Sequence, residues 1–255
     1  MKKVTLLLVL MLSQFILGQE VKSYLVSYNY VNVGLNESKS VSLYIKGNES
    51  LTIFNKNDSI INKNSFDDKG DFNINISGDD KVGKRVYKNL KEKQIVFRDF
   101  YSTEGKLRPC IVEEELPIFK WVFGVKAKKI GKFLCNSAEL NFRGRTFEVW
   151  YTNQIPISHG PWKFYGLPGL IMEIKSKDLN ISFTINKIKE SNSVSDKIQI
   201  PKEGKKILFN DYVNYKENTI KDFIKNLYSK LPRGAKIKLN STPVSYNLEK
   251  KFKRI

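Results

Sequence analysis

The chain has 255 residues, with 44 Lys or Arg against 26 Asp or Glu, a formal charge of +18. Its 41% hydrophobic content is enough to bury a real core. A single histidine excludes a two-histidine metal centre, and no CxxC is present to supply a thiolate site.

At the N-terminus, Lys2 and Lys3 precede an unbroken apolar run from Val4 to Leu12, and Gly18 offers a small residue for cleavage. That is the layout of an export signal, and it predicts a signal peptide over 1–18. A spanning helix needs about 20 apolar residues; this run stops short of the polar segment Gln19-Glu20-Val21-Lys22-Ser23. No cysteine lies near the cleavage point, so lipid attachment there is excluded. The mature part, 19–255, loses Lys2 and Lys3 and no acid, leaving 42 basic residues against 26 acidic ones and a charge of +16. No later stretch is apolar enough to span a membrane. The expected destination is the periplasm, the outer membrane as an associated protein, or the medium. Export removes the usual nucleic-acid partner, and no nucleic-acid module motif is present. The lysine excess has two readings: a solvated surface, or attraction to polyanions such as phosphorylated lipid head groups or acidic glycans.

The mature sequence then reads as a run of short strands. Tyr24, Val26, Tyr28 and Tyr30 alternate with polar residues, a period of two with one apolar face. Val41, Leu43 and Ile45 repeat the pattern, and Gly47-Asn48-Glu49 turns the chain into Leu51 and Ile53. Residues 55–70 are polar and read as a loop. Phe72, Ile74 and Ile76 alternate next, then Ile95, Phe97 and Asp99. Later come Phe147, Val149 and Tyr151, then Leu170, Met172 and Ile174, then Ile181, Phe183 and Ile185. Close spacing without intervening helices favours antiparallel meanders. Ile220, Phe223, Ile224, Leu227, Tyr228 and Leu231 follow a helical period over 219–231. The tail from Leu248, with Lys250, Lys251, Lys253 and Arg254, is expected to be frayed or only loosely paired. The predicted fold is mostly β: one domain over 19–255, a curved antiparallel sheet or half-open barrel with one C-terminal amphipathic helix.

Recognisable chemistry is absent from the sequence. His159 has no GxSxG elbow to serve, and neither HExxH nor GxxxxGK[ST] occurs. His159 lies in the turn-like Ser158-His159-Gly160-Pro161, where a structural hydrogen bond is expected. Asp67-Asp68-Lys69-Gly70-Asp71 lacks the spacing of a calcium loop. No catalytic residue, metal site or cofactor is therefore assigned. Cys110 and Cys135 are an even pair in an exported chain, which suggests one disulfide; two buried thiols are the alternative.

Residues 155–174, IPISHGPWKFYGLPGLIMEI, concentrate Gly, Pro and aromatics. Gly160, Pro161, Gly166, Pro168 and Gly169 are turn signals. Trp162, Phe164, Tyr165, Leu167 and Leu170 are too apolar to be left together in water. The expected structure is a proline-stiffened loop that folds an aromatic plug against the sheet and enters a strand at Leu170. Two roles are open for these five residues: buried filling, or the border of a ligand groove or partner surface.

The hexapeptide at Gly166–Ile171 resembles the signature of the GLPGLI family of envelope proteins from Bacteroidota. Ile130-Gly131-Lys132-Phe133-Leu134-Cys135 is similar to the family's IxGYxC element, with Phe133 where Tyr is frequent. Gly144-Arg145 followed by Val149-Trp150-Tyr151-Thr152 resembles its GR…VWYT strand, and Ile155-Pro156-Ile157 and Gly160-Pro161 also fit. The resemblance covers roughly 130–188. It implies no catalytic activity and brings no catalytic residues. The reading is a non-enzymatic envelope protein that binds a lipid or another apolar or amphipathic ligand. Two alternatives stand beside it. One is a module that docks an envelope protein beside outer-membrane transport machinery. The other is a hydrolase with an unrecognised carboxylate pair.

Overall fold

The computed structural model describes residues 22–35, 37–55, 65–66, 72–73, 80, 82–103, 106–218 and 248–249. The signal-peptide reading of 1–18, the helix expected over 219–231 and most of the polar loop over 55–70 lie outside the described residues.

Fourteen strands are described: β1 Ser23–Asn32, β2 Glu37–Lys46, β3 Glu49–Phe54, β4 Ser65–Phe66, β5 Phe72–Asn73, β6 Arg85–Asn89, β7 Gln94–Thr103, β8 Lys106–Glu115, β9 Val122–Ile130, β10 Phe133–Phe142, β11 Arg145–Thr152, β12 Leu170–Ser176, β13 Ile181–Glu190 and β14 Lys205–Ile207. One helix, α1, covers 209–218. Twelve strands form a single sheet in the order β14-β8-β7-β6-β3-β2-β1-β13-β12-β11-β10-β9, and β4 and β5 form a separate pair. Its pairings are antiparallel except β14 on β8. Among the described residues the sheet does not close, so β14 and β9 are its edges. The fold is the mostly-β, open antiparallel architecture with a C-terminal helix that the sequence predicts.

The sheet nevertheless curls. Arg143, in the turn between β10 and β11, lies 2.7 Å from Glu114 on β8, although eight strands separate β8 from β10 in the sheet order. Only a curved sheet brings those two ends together. Its inner face carries the main core: Val26 and Tyr28 of β1, Leu43 and Ile45 of β2, Phe97 of β7, Phe147 of β11 and Phe183 of β13 are all buried there. A smaller cluster of Leu51, Tyr87, Val96 and Ile111 sits apart from it, covered by Tyr44, Ile53 and Ile198. β3, β6, β7 and β8 therefore bury both faces, which erases the polar half of the period-two pattern.

The expected disulfide is not formed. Cys110 and Cys135 are free, buried thiols. Cys110 Sγ lies 3.3 Å from the Asp99 carbonyl on β7, and Cys135 Sγ lies 3.6 Å from the Phe133 carbonyl on its own strand. An even number of cysteines in an exported chain does not bring the two together, whereas bridging requires Cα atoms within about 7 Å of each other. Burial pushes the Cys110 thiol up to about 12 and raises that of Cys135 as well, so neither is a ready thiolate.

A thiol reagent should therefore leave native, non-reduced protein unlabelled and label two cysteines once the chain is denatured without reductant. No labelling after denaturation would restore the disulfide.

Candidate functional site

The plug begins where β11 ends and returns to the sheet at β12. Leu170 N–H donates to Ile155 O at 2.9 Å, closing its base. Ser158 Oγ donates to Leu167 O at 3.0 Å, and Gly166 N–H donates to Ser158 O at 3.2 Å, crossing its middle. Gly169 passes so close to β11 that a Cβ there would stand 2.1 Å from Thr152 O, which only glycine permits. Of the five apolar plug residues, Trp162, Phe164, Leu167 and Leu170 are buried in the main core, and Tyr165 packs against it half-buried. Phe164 meets Phe147 edge-on at 5.0 Å and Trp162 at 5.2 Å. The segment 116–121, between β8 and β9, straps the outside. Phe119 contacts Phe142, Phe164 and Tyr165, and Trp121 Nε1 donates to Tyr165 O at 3.1 Å.

A buried lysine fastens the plug from below. Lys88 of β6 has no exposed surface. Its Nζ donates to Gly160 O and to Phe164 O, each at 2.7 Å. Burial pushes its pKa well below the usual lysine range. His159 is also buried, and its Nε2 lies 3.2 Å from Gly47 O. Burial, reinforced by Lys88, lowers its pKa to about 3, so the ring is neutral and Nε2 is the donor. This is the structural role that its turn context suggests.

Two charged groups lie at the end of the curl. In the first, Glu114 of β8 forms an ion pair with Lys163 at 2.5 Å and accepts from Arg143 at 2.7 Å. Glu249 accepts from Arg143 at 2.5 Å and from Lys163 at 2.8 Å. All four side chains are at least nine-tenths buried. Burial would raise the Glu114 carboxyl, but Lys163 and Arg143 together hold it below its ordinary value. Lys163 also sits 4.2 Å from the Phe97 ring centre. Of the tail from Leu248, the described Glu249 is held by both cations, and 250–255 lie outside the described residues. The lysine count of the tail hid the one carboxylate that the buried cations require. Backbone strain gathers here too: Arg143 and Trp162 both adopt positive φ, 46° and 54°.

In the second group, Asp99 of β7 accepts from Tyr212 Oη of α1 at 2.5 Å and pairs with Lys84 at 3.0 Å and Lys216 at 3.1 Å. Burial works against its ionisation, yet the two lysines and the tyrosine hold it well below the usual carboxylate range. Burial and then Asp99 push the Tyr212 phenol far up. A pocket of about 100 Å³ opens at this group, with Tyr30, Phe54 and Trp162 among its walls and Lys84 and Lys216 among its charges. Sequence reading assigned neither group and paired none of its charges. Asp99 carried a signal, as an acid in register with Ile95 and Phe97 on a core-facing strand, and Glu114 carried one as the middle of the run Glu113-Glu114-Glu115. Among the described residues, no cluster of three or more metal-ligating side chains occurs. No helix among them is long and apolar enough to cross a membrane.

Residues 141–173 match the model of a family described as a protein of unknown function, Porph_ging. The matched stretch holds the Arg143 turn, β11, the whole plug and the start of β12, and it is consistent with the GLPGLI resemblance. No curated protein matches the chain. Solved structures of PNGF-II in two space groups are similar in fold, with TM-scores of 0.52 and 0.51 at 13% and 14% identity. The similarity covers 78% of this chain but only 34% and 33% of those chains. At that identity the likeness concerns the fold alone.

Arg143→Gly should relax its turn yet leave Glu114 and Glu249 short of a cation, costing about 3 kcal/mol of stability in denaturant titration; an unchanged midpoint would show the quartet to be idle. His159→Asn tests the neutral ring. The folded pKa, about 3, lies below the unfolded 6.5. The unfolded chain therefore binds more protons between those values, and stability falls as pH drops through that window. The variant should lose up to one proton of this pH dependence relative to the parent; parallel acid limbs would contradict the assignment.

Proposed function

We propose that this protein is an exported, non-enzymatic binding protein whose inner pocket takes the anionic head of a small amphipathic ligand. The observation that carries the reading is the pair of lysines, Lys84 and Lys216, converging on one carboxylate, Asp99, beside aromatic walls. The neighbouring charges are matched elsewhere. Glu37 pairs with Lys39, Arg98 with Asp80, and Glu249 with Lys163 and Arg143. Two cations on one anion leave a surplus positive charge at the pocket, and Lys84 is half exposed. Tyr30, Phe54 and Trp162 supply apolar surface for the neighbouring carbons.

The size fits an end of a molecule and not a whole lipid, since about 100 Å³ is well below the 300–1,000 Å³ of sites for drug-sized ligands. The titration states favour holding over proton transfer. Asp99 is kept ionised and the Tyr212 phenol protonated across neutral pH, whereas an acid–base catalyst works best with a pKa near the operating pH.

Calorimetry with hexyl phosphate and hexanol tests this reading. Hexyl phosphate should bind one per chain, about tenfold or more tighter than hexanol, as a charge-assisted contact implies. Lys84→Gln/Lys216→Gln should abolish that difference. Equal affinities for the two probes, or no binding to folded protein, would contradict the proposal.

A further inference from the structure

A second surface lies at the opposite edge of the sheet from β14, on β9 and the segment that leads into it. Among the described residues β9 is the last strand in the order and pairs only with β10. Its first six residues are all exposed. Ile118, Val122, Phe123 and Val125 are four large apolar side chains within eight residues, and Ile118 and Val125 are 90% and 103% exposed. Leaving such a cluster in water is unfavourable and marks an interaction site. Along the segment itself the charge has one sign, and Glu139 of β10, opposite Val122, is matched by Lys177 at 2.8 Å. From Leu116 to Ala138 the sequence has five lysines, Lys120, Lys126, Lys128, Lys129 and Lys132, and no acidic residue. Lys128 turns back to Glu173 at 2.9 Å and to the Trp150 ring. The other four have no carboxylate on their own segment.

Three occupants can be weighed. A second copy would set lysine against lysine across a two-fold axis. An added strand needs a regular edge, yet β9 is bulged: Asn136 pairs with Ala127 while Ala138 pairs with Phe123, so four residues of β9 span two of β10. Bulges and edge lysines are devices that discourage strand addition. An anionic bilayer surface requires neither register nor symmetry. It offers hydrocarbon to the protruding apolar side chains and negative charge to the lysines around them.

We infer that the β9 edge and its lead-in dock on an anionic lipid surface, with Ile118, Val122, Phe123 and Val125 entering the interface and Lys126, Lys129 and Lys132 meeting head groups. This surface is separate from the pocket at Asp99 and does not depend on its ligand.

Co-sedimentation of the mature chain with phosphatidylcholine vesicles, with and without about a third phosphatidylglycerol, tests the inference. Binding should appear on the anionic vesicles and weaken as salt rises. Ile118→Ser/Val125→Ser changes two fully exposed side chains, so folding should be unaffected and binding should fall about tenfold or more. Lys126→Gln/Lys129→Gln/Lys132→Gln should weaken it by about fivefold per lysine. Lys84→Gln/Lys216→Gln should leave vesicle binding unchanged, which separates this surface from the pocket. Equal sedimentation with neutral vesicles, binding that survives the serine variant, or capture of a glutamate-rich strand peptide in place of vesicles would each overturn the inference.

Discussion

Lys88 places an amine in the centre of an apolar interior and gives it two backbone carbonyls, those of Gly160 and Phe164. Either protonation state of the amine has hydrogens enough for both. Removing that donor would strand two buried acceptors, each costing about 1–3 kcal/mol. The plug therefore cannot lift away piecemeal. While it stays seated, Phe164 remains against Phe147, and Tyr28 Oη of β1 keeps its 2.6 Å bond to Ile171 O at the start of β12. The plug thereby ties β6, β1, β11 and β12 to one filling. An open sheet of twelve strands must curl, split or flatten; this one curls around a packed centre.

The curl has an electrostatic consequence. It brings β8, the Arg143 turn, the Lys163 end of the plug and Glu249 to one place, where four buried charges satisfy one another. Ion pairs of this kind contribute little net stability but specify a geometry, because any other arrangement leaves a charge unpaired in low dielectric. The positive φ values of Arg143 and Trp162 sit at the two points where the chain must turn to present Arg143 and Lys163. Beside this locked quartet lies the looser group of Asp99, Lys84, Lys216 and Tyr212, with its surplus cation at the pocket. The neutral quartet thus forms a fixed wall beside the group whose charge is unbalanced.

Much of this architecture was legible in the sequence. Strands buried on one face, such as β1 and β2, showed clean alternation, and the Gly-Pro-aromatic segment announced a loop that must bury its rings. Other elements gave no such signal. β6 carries Lys88 at a core position, so its apolar pattern reads as broken. In β10 the period slips at Ser137 and Ala138, both buried opposite the bulge in β9, and β9 is an exposed edge with nothing to alternate against. The site was illegible for a different reason. Glu114, Arg143, Lys163 and Glu249 are distant in sequence, and each reads alone as a surface charge. Only the curl makes them neighbours. Asp99 lay on a recognised strand, but its partners come from α1 and the approach to β6.

The central claim is that the segment 153–169 is core and not a surface loop. Native-state hydrogen exchange tests it most directly. The amides of Phe164, Gly166, Leu170 and Ile171 should exchange only by global unfolding, with the same opening free energy as the β1 and β2 amides around Val26 and Leu43. Exchange of the plug amides at a much lower opening free energy, while those strands stay protected, would show that the sheet curls without the plug and would contradict the account.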